Sequence, residues 1–284
     1  MKLSRIGIFM LLLVAVSATA GCGIVNRIRA KNALNEGARA YKDGRFDEAQ
    51  QKFEYAYSLD PSQKNAPLFI ARAVQQQYKP GVDAPENLAR GQAAIDAYQK
   101  VLTEDPNNDD AYKAIVFLYG QMKNDDKVRE MLMQRANLDS AKPEKRSEAL
   151  TILSSKQWNC SYEVTEQKEN KEIVNKGAGG APVIHYKKPA NQADYDKARG
   201  CVVEGLKLAE QAISLDKTNA NAWSYKTNLL REMSKLSEMD GNAAQKADYD
   251  KQYDQALEIQ KKLSEEAAKK KEAEAASSPT PPAS

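Results

Sequence analysis

Compact residues spaced four and three apart, closed by an acidic stop, recur along this chain and constrain it more than any other feature. One copy runs from Gly44-Arg45-Phe46-Asp47-Glu48-Ala49 through Phe53 and Ala56 to Ser58-Leu59-Asp60-Pro61. A second runs from Gln92-Ala93-Ala94 through Tyr98 and Val101 to Thr103-Glu104-Asp105-Pro106. A third runs from Gly205 through Ala209 and Ala212 to Ser214-Leu215-Asp216-Lys217. Such spacing puts the compact residues on one face of a helix. A small side chain there lets another helix approach closely. Asp-Pro then ends the helix, because the residue before Pro avoids the α region and Pro has no N–H.

At these residues the chain resembles the second helix of a tetratricopeptide repeat (TPR), a helix-turn-helix unit of the kind that stacks into arrays. The resemblance covers residues 30–263 in about five repeats. It implies an all-α superhelical solenoid with a loop or small β-hairpin inserted. The first repeat, about 30–63, follows the family best, with Gly37 at the small position and Tyr41 near the turn; Ala33, Glu36 and Ala40 depart from its larger apolar residues. The second has its first helix at about 65–78, a break at 79–85 with two Pro and one Gly, and a second helix ending at Asp105-Pro106. The third opens near 109 with Tyr112, Ile115, Val116 and Tyr119; its second helix carries Val128, Leu132 and Ala136, one residue out of register. The fourth divides into helices at 143–157 and 195–215 around an insertion at 158–193. The fifth opens at Trp223, turns at Asp240-Gly241-Asn242 and continues through Tyr249, Tyr253 and Ala256.

The insertion does not read as helix. Ser161-Tyr162-Glu163-Val164-Thr165 and Pro182-Val183-Ile184-His185-Tyr186-Lys187 both alternate, and the Gly-rich run at 176–181 separates them, which is the pattern of a small hairpin. Residues 264–284 form a tail, first Glu/Ala/Lys-rich and able to prolong the last helix, then Pro/Ser-rich.

The N-terminus reads as an address. Lys2 and Arg5 precede an apolar run at 6–16 and a small-residue cluster, the plan of a bacterial secretory signal at 1–21. The run is shorter than a spanning helix of ~20 residues. Ala18-Thr19-Ala20 fits cleavage after Ala20, giving a soluble periplasmic protein. Thr19-Ala20-Gly21-Cys22 resembles the lipobox of bacterial lipoproteins, with Thr19 in place of the usual Leu. That resemblance implies lipidation of Cys22, a linker at 22–29, and an anchored protein facing the periplasm. Gly23 after the Cys points to the outer membrane. With Cys22 acylated, Cys160 and Cys201 remain as a pair, and the periplasm permits a disulfide between them. The alternative is two buried thiols.

The chain offers little chemistry. Its 284 residues carry 42 Lys+Arg against 39 Asp+Glu, a net of +3, which gives no electrostatic case for nucleic acid. With one His, His185, and three Cys there is no His-rich or multi-Cys metal site. Acid pairs such as Asp109-Asp110 are adjacent, and neighbours in a helix do not face each other. No hydrolase, metalloprotease or phosphate-loop motif occurs. The expectation is a non-enzyme with no cofactor and no metal.

The family's pattern instead implies a binding groove lined by first helices. Its positions are Lys31, Leu34, Ala38, Tyr41 and Lys42 in the first repeat, and Asn65, Leu68, Arg72, Gln75 and Gln76 in the second. The third gives Asp110, Lys113, Phe117 and Gln121, and the fifth gives Asn221, Ser224, Asn228, Arg231 and Glu232. Amides, cations and a few apolar residues suit an extended peptide or a partner helix. The leading expectation is a membrane-anchored adaptor or scaffold binding other envelope proteins, similar in plan to TPR lipoproteins of outer-membrane or pilus assembly. The alternative is a ligand-binding or hydrolytic envelope protein with its site in 158–193, for which His185 is the candidate base.

Overall fold

The computed structural model describes residues 3–174 and 182–277, with the side chains of 3–22, 271 and 274–277 excepted. It is all-α apart from one hairpin. The helices are α1 (Leu3–Lys42), α2 (Phe46–Leu59), α3 (Ala66–Gln75), α4 (Pro85–Glu104), α5 (Asp109–Gln121), α6 (Asp125–Ala136), α7 (Pro143–Thr165), α8 (Gln192–Leu215), α9 (Ala220–Met239) and α10 (Ala243–Ser277). The chain falls into two compact units, Met1–Met131 and Leu132–Ser284, with the division inside α6.

In the first unit α1 packs on α2, α2 on α3, α3 on α4 and α4 on α5. The compact stripes explain how closely they pack. Ala30, Ala33 and Ala56 form one buried cluster, and Ala40, Ala49, Phe53 and Ala73 form the next. A Cβ on Gly37 would meet the Phe53 ring at 2.6 Å, so only Gly fits there. In the second unit α7 packs on α8 and α9, α8 on α9, and α9 on α10. Its core holds Val164, Tyr195, Val202, Leu229, Met233 and Leu236. A Cβ on Gly205 would lie 2.7 Å from Leu229.

Repetition reaches down to the turns. Three helices end on a residue with positive φ: Gly44 at 76°, Lys123 at 55° and Gly241 at 69°. In each the next N–H reaches back to the carbonyl five residues earlier: Arg45 to Ala40, Asn124 to Tyr119 and Asn242 to Ser237. These are equivalent left-handed caps, so the third repeat keeps the turn of the first and fifth. The second-helix stops repeat as well. The carboxylates of Asp60, Asp105 and Asp216 each accept the backbone N–H two residues on, from Ser62, Asn107 and Thr218. The acid therefore builds the turn as well as ending the helix.

The insertion differs from the sequence reading. Residues 161–165 are helix, the last turns of α7, and α8 begins at Gln192. Val164 joins the core, and Ser161 and Thr165 are buried on the same side, four positions apart. Tertiary burial of that face overrides the local alternation. The hairpin forms between β1 (Lys171–Val174) and β2 (Val183–Tyr186), antiparallel, with Ile173 opposite Ile184. Cys160 and Cys201 are joined by a disulfide. Both lie within helices, so the bond ties α7 to α8 rather than closing the base of a loop.

The helical prolongation expected of the tail is present, as α10 continues to Ser277. The signal at 1–21 and the acylation of Cys22 depend on side chains outside the described ones, and residues 278–284 lie outside them too. Among the described residues no helix is long and apolar enough to cross a membrane.

Candidate functional site

Groove positions from α1 and α3 meet in one pocket of the first unit. Ala38, Tyr41 and Lys42 from α1, Phe53 from α2, and Phe69 and Arg72 from α3 line a cavity of about 190 Å³. The floor is aromatic, with Phe53 and Phe69 rings 5.5 Å apart. Tyr41 is held edge-on against Phe46 at 5.4 Å, which fixes the rim. Lys42 and Arg72 complete the lining. The Arg72 guanidinium donates to Asp110 on α5 at 2.8 Å, extending the surface to the third repeat. On α4 the buried Tyr98 hydroxyl donates to Gln75 of α3 at 2.5 Å, and burial pushes that phenol above its ordinary value, so it stays a neutral donor.

The other groove positions scatter. Leu34 packs into the α1–α2 core. Asn65 lines a different cavity beside Pro61 and Asp105. Lys31, Gln76, Phe117, Gln121 and Asn221 are exposed and Leu68 and Asn228 are half-buried. Lys113 pairs with Asp109 on its own helix at 2.7 Å. Arg231 sits over the Tyr253 ring at 5.6 Å.

Glu232 corrects the sequence reading outright. Read as a groove residue, it is 1% exposed. Its Oε2 accepts from the hydroxyls of Ser161 at 3.0 Å and Thr165 at 2.7 Å, and its Oε1 from Lys235 Nζ at 2.5 Å. Lys235 also donates to Glu166 at 2.7 Å and lies 5.2 Å from the Tyr162 ring centroid and 5.0 Å from that of Tyr186. Lys171 and the Tyr186 hydroxyl complete the shell of Glu166. Burial alone would raise the Glu166 carboxyl; the bonds from Lys235 and Lys171 outweigh it and hold it at about 2. Burial likewise opposes the charge on Lys235, yet Glu232 and Glu166 raise it above the ordinary lysine value. Both charges thus survive inside the unit as a satisfied network clamping α7, α9 and β2 together. A Glu and a Lys three apart, interleaved with Leu229, Leu230, Met233 and Leu236, were the available signal.

His185 Nδ1 lies 2.9 Å from Glu238 on α9, a contact that fastens the hairpin. Its side chain is 54% exposed. Among the described residues no group of three His, Cys, Asp or Glu is placed to hold a metal ion.

No protein-family model and no characterised sequence matches the chain. Solved structures similar to it include MamA, 14% identical over 84% of this chain and 94% of that one, with a TM-score of 0.42. A TPR repeats protein from Bacteroides fragilis NCTC 9343 is 15% identical over 72% of this chain and 84% of its own, with a TM-score of 0.46. YrrB, a TPR protein with an unusual peptide-binding site, is 12% identical over 77% and 90%, with a TM-score of 0.36. None of these likenesses decides what this chain binds.

Proposed function

We propose that the chain is a non-catalytic adaptor, anchored in the bacterial envelope through Cys22, that captures a segment of a partner protein in the groove of its first unit. The pocket under Tyr41 and Arg72 carries this reading. Its walls are mostly apolar, it has room for one large side chain, and the cationic residues Lys42 and Arg72 are part of its lining. That combination suits a peptide or helix presenting an apolar anchor beside a carboxylate. Tyr41 is rigid and amphipathic, the kind of residue that concentrates binding energy in an interface.

Photo-crosslinkers at Lys42 and Phe117, with mass spectrometry of the products, test the reading in cells. The expected result is a discrete envelope protein whose yield falls roughly tenfold or more in Tyr41→Ala/Arg72→Ala, while the far-UV spectrum is unchanged. Equal capture by wild type and double variant overturns the groove.

A further inference from the structure

The first turns of α1 whose side chains are described present a surface away from the pocket, and it takes in Lys31, a residue the family pattern put in the groove. Ile24, Val25 and Ile28 are 62%, 46% and 58% exposed. At 100° per residue they fall within an arc of about 100°. Arg29 borders one edge of that arc, and Arg27 and Lys31 border the other; all three are exposed. Among the described residues nothing before Ala30 is buried, so this segment runs ahead of the packed helices. No acidic residue occurs anywhere before Glu36. The Asp60 carboxylate, at the end of α2, is taken up by Ser62 and Gln63, and Arg27 acts on it only weakly through its charge.

Single exposed apolar side chains are ordinary. An apolar arc bordered only by cations, on a segment without a single acid, is the pattern of a helix lying in a membrane interface. Two observations select a bilayer as the occupant. The charge is uniformly positive and complements anionic headgroups, which attract each nearby Lys or Arg. The same helix continues upstream towards the apolar run at 6–16, so the surface lies where the chain meets the membrane in the anchored reading.

We infer that residues 23–31 form an interfacial segment seated on an anionic lipid bilayer. Ile24, Val25 and Ile28 sit at the acyl boundary, and Arg27, Arg29 and Lys31 lie against lipid phosphates. The inference takes the nearby bilayer from the proposed anchoring but does not need Cys22 to be acylated. Because α1 is continuous, Gly23 and Ala30 are separated by only about 10 Å of helix. The segment would therefore hold the first repeat close to the headgroups.

The test uses a chain beginning at Gly23, which keeps every buried side chain described and has neither leader nor acyl group. Its co-sedimentation is measured with phosphatidylcholine vesicles, with and without phosphatidylglycerol. Binding is expected only with phosphatidylglycerol and should weaken as salt is added. Arg27→Glu/Arg29→Glu should lower it roughly tenfold or more, and Ile24→Ser/Ile28→Ser should lower it as well. Lys261→Glu/Lys262→Glu, an equal charge change on exposed positions of α10, should leave it unchanged. A far-UV spectrum shared by all forms excludes misfolding. No vesicle binding, equal binding to neutral vesicles, or equal loss from the α10 variant overturns the inference. A failure of groove capture would leave vesicle binding intact, so the two readings fail separately.

Discussion

At the residue scale the buried charges of α9 are the most informative positions. Glu232 and Lys235 stand among Leu229, Leu230, Met233 and Leu236, where an unpaired charge would be intolerable. Glu232 is satisfied by Ser161 and Thr165 of α7 and by Lys235, and Lys235 also by Glu166 just beyond α7, which is why a residue at a groove-like position turns inward. Such a network is a better source of specificity than of net stability, since each ion is costly to desolvate. Its acid limb is testable. The Glu166 carboxyl has its folded value lowered from 4.5 to about 2. Its contribution is therefore complete above pH 4.5 and is lost as pH falls towards 2. Both tryptophans, Trp158 and Trp223, lie in Leu132–Ser284, so their fluorescence reports that unit alone. The unfolding free energy obtained from urea titrations followed this way should fall more in wild type than in Glu166→Gln across that range, by at most about 3 kcal/mol. Parallel falls would mean that Glu166 is not held by Lys235 and Lys171.

At the scale of elements, caps and stops carry the repeat more faithfully than helix faces do. Gly44, Lys123 and Gly241 occupy equivalent left-handed caps, and only the middle one bears a side chain. A β-carbon costs energy in that conformation. Lys123→Gly should thus raise the stability of the first unit by up to about 1 kcal/mol, and Gly241→Lys should lower that of the second by a similar amount. Thermal melts by circular dichroism check both; no change from Lys123→Gly would mean that the backbone relaxes elsewhere. The helix stops were legible because Asp-Pro acts locally through its own carboxylate and ring. Residues 161–165 were not legible. Their alternation fits a strand, but Ser161, Val164 and Thr165 also share a helix face, and only the presence of α9 decides between the two. The hairpin's second strand was legible at 182–187, whereas its first lies at 171–174, beyond the helix that displaced it.

At the scale of the whole molecule the anchored reading makes its own prediction. In cells, wild type should partition into detergent with the membrane fraction, and Cys22→Ala should leave a chain that extracts more readily into the aqueous phase. Identical partitioning would favour cleavage after Ala20. What the sequence determined by itself was periodic and local. Spacings of three and four specify helices, and Asp-Pro and Asp-Lys specify their ends. Each signal is carried by neighbours in the chain, so it survives without knowledge of the fold. Tertiary structure decided the rest. It chose which groove positions converge, bringing Tyr41, Lys42 and Arg72 into one pocket while Leu34 sank into the core and Asn65 lined another cavity. It also decided that Glu232 is buried and that 161–165 is helix. In each case the deciding partner lies on a different helix, and desolvation and packing depend on what surrounds a side chain rather than on its position in the repeat.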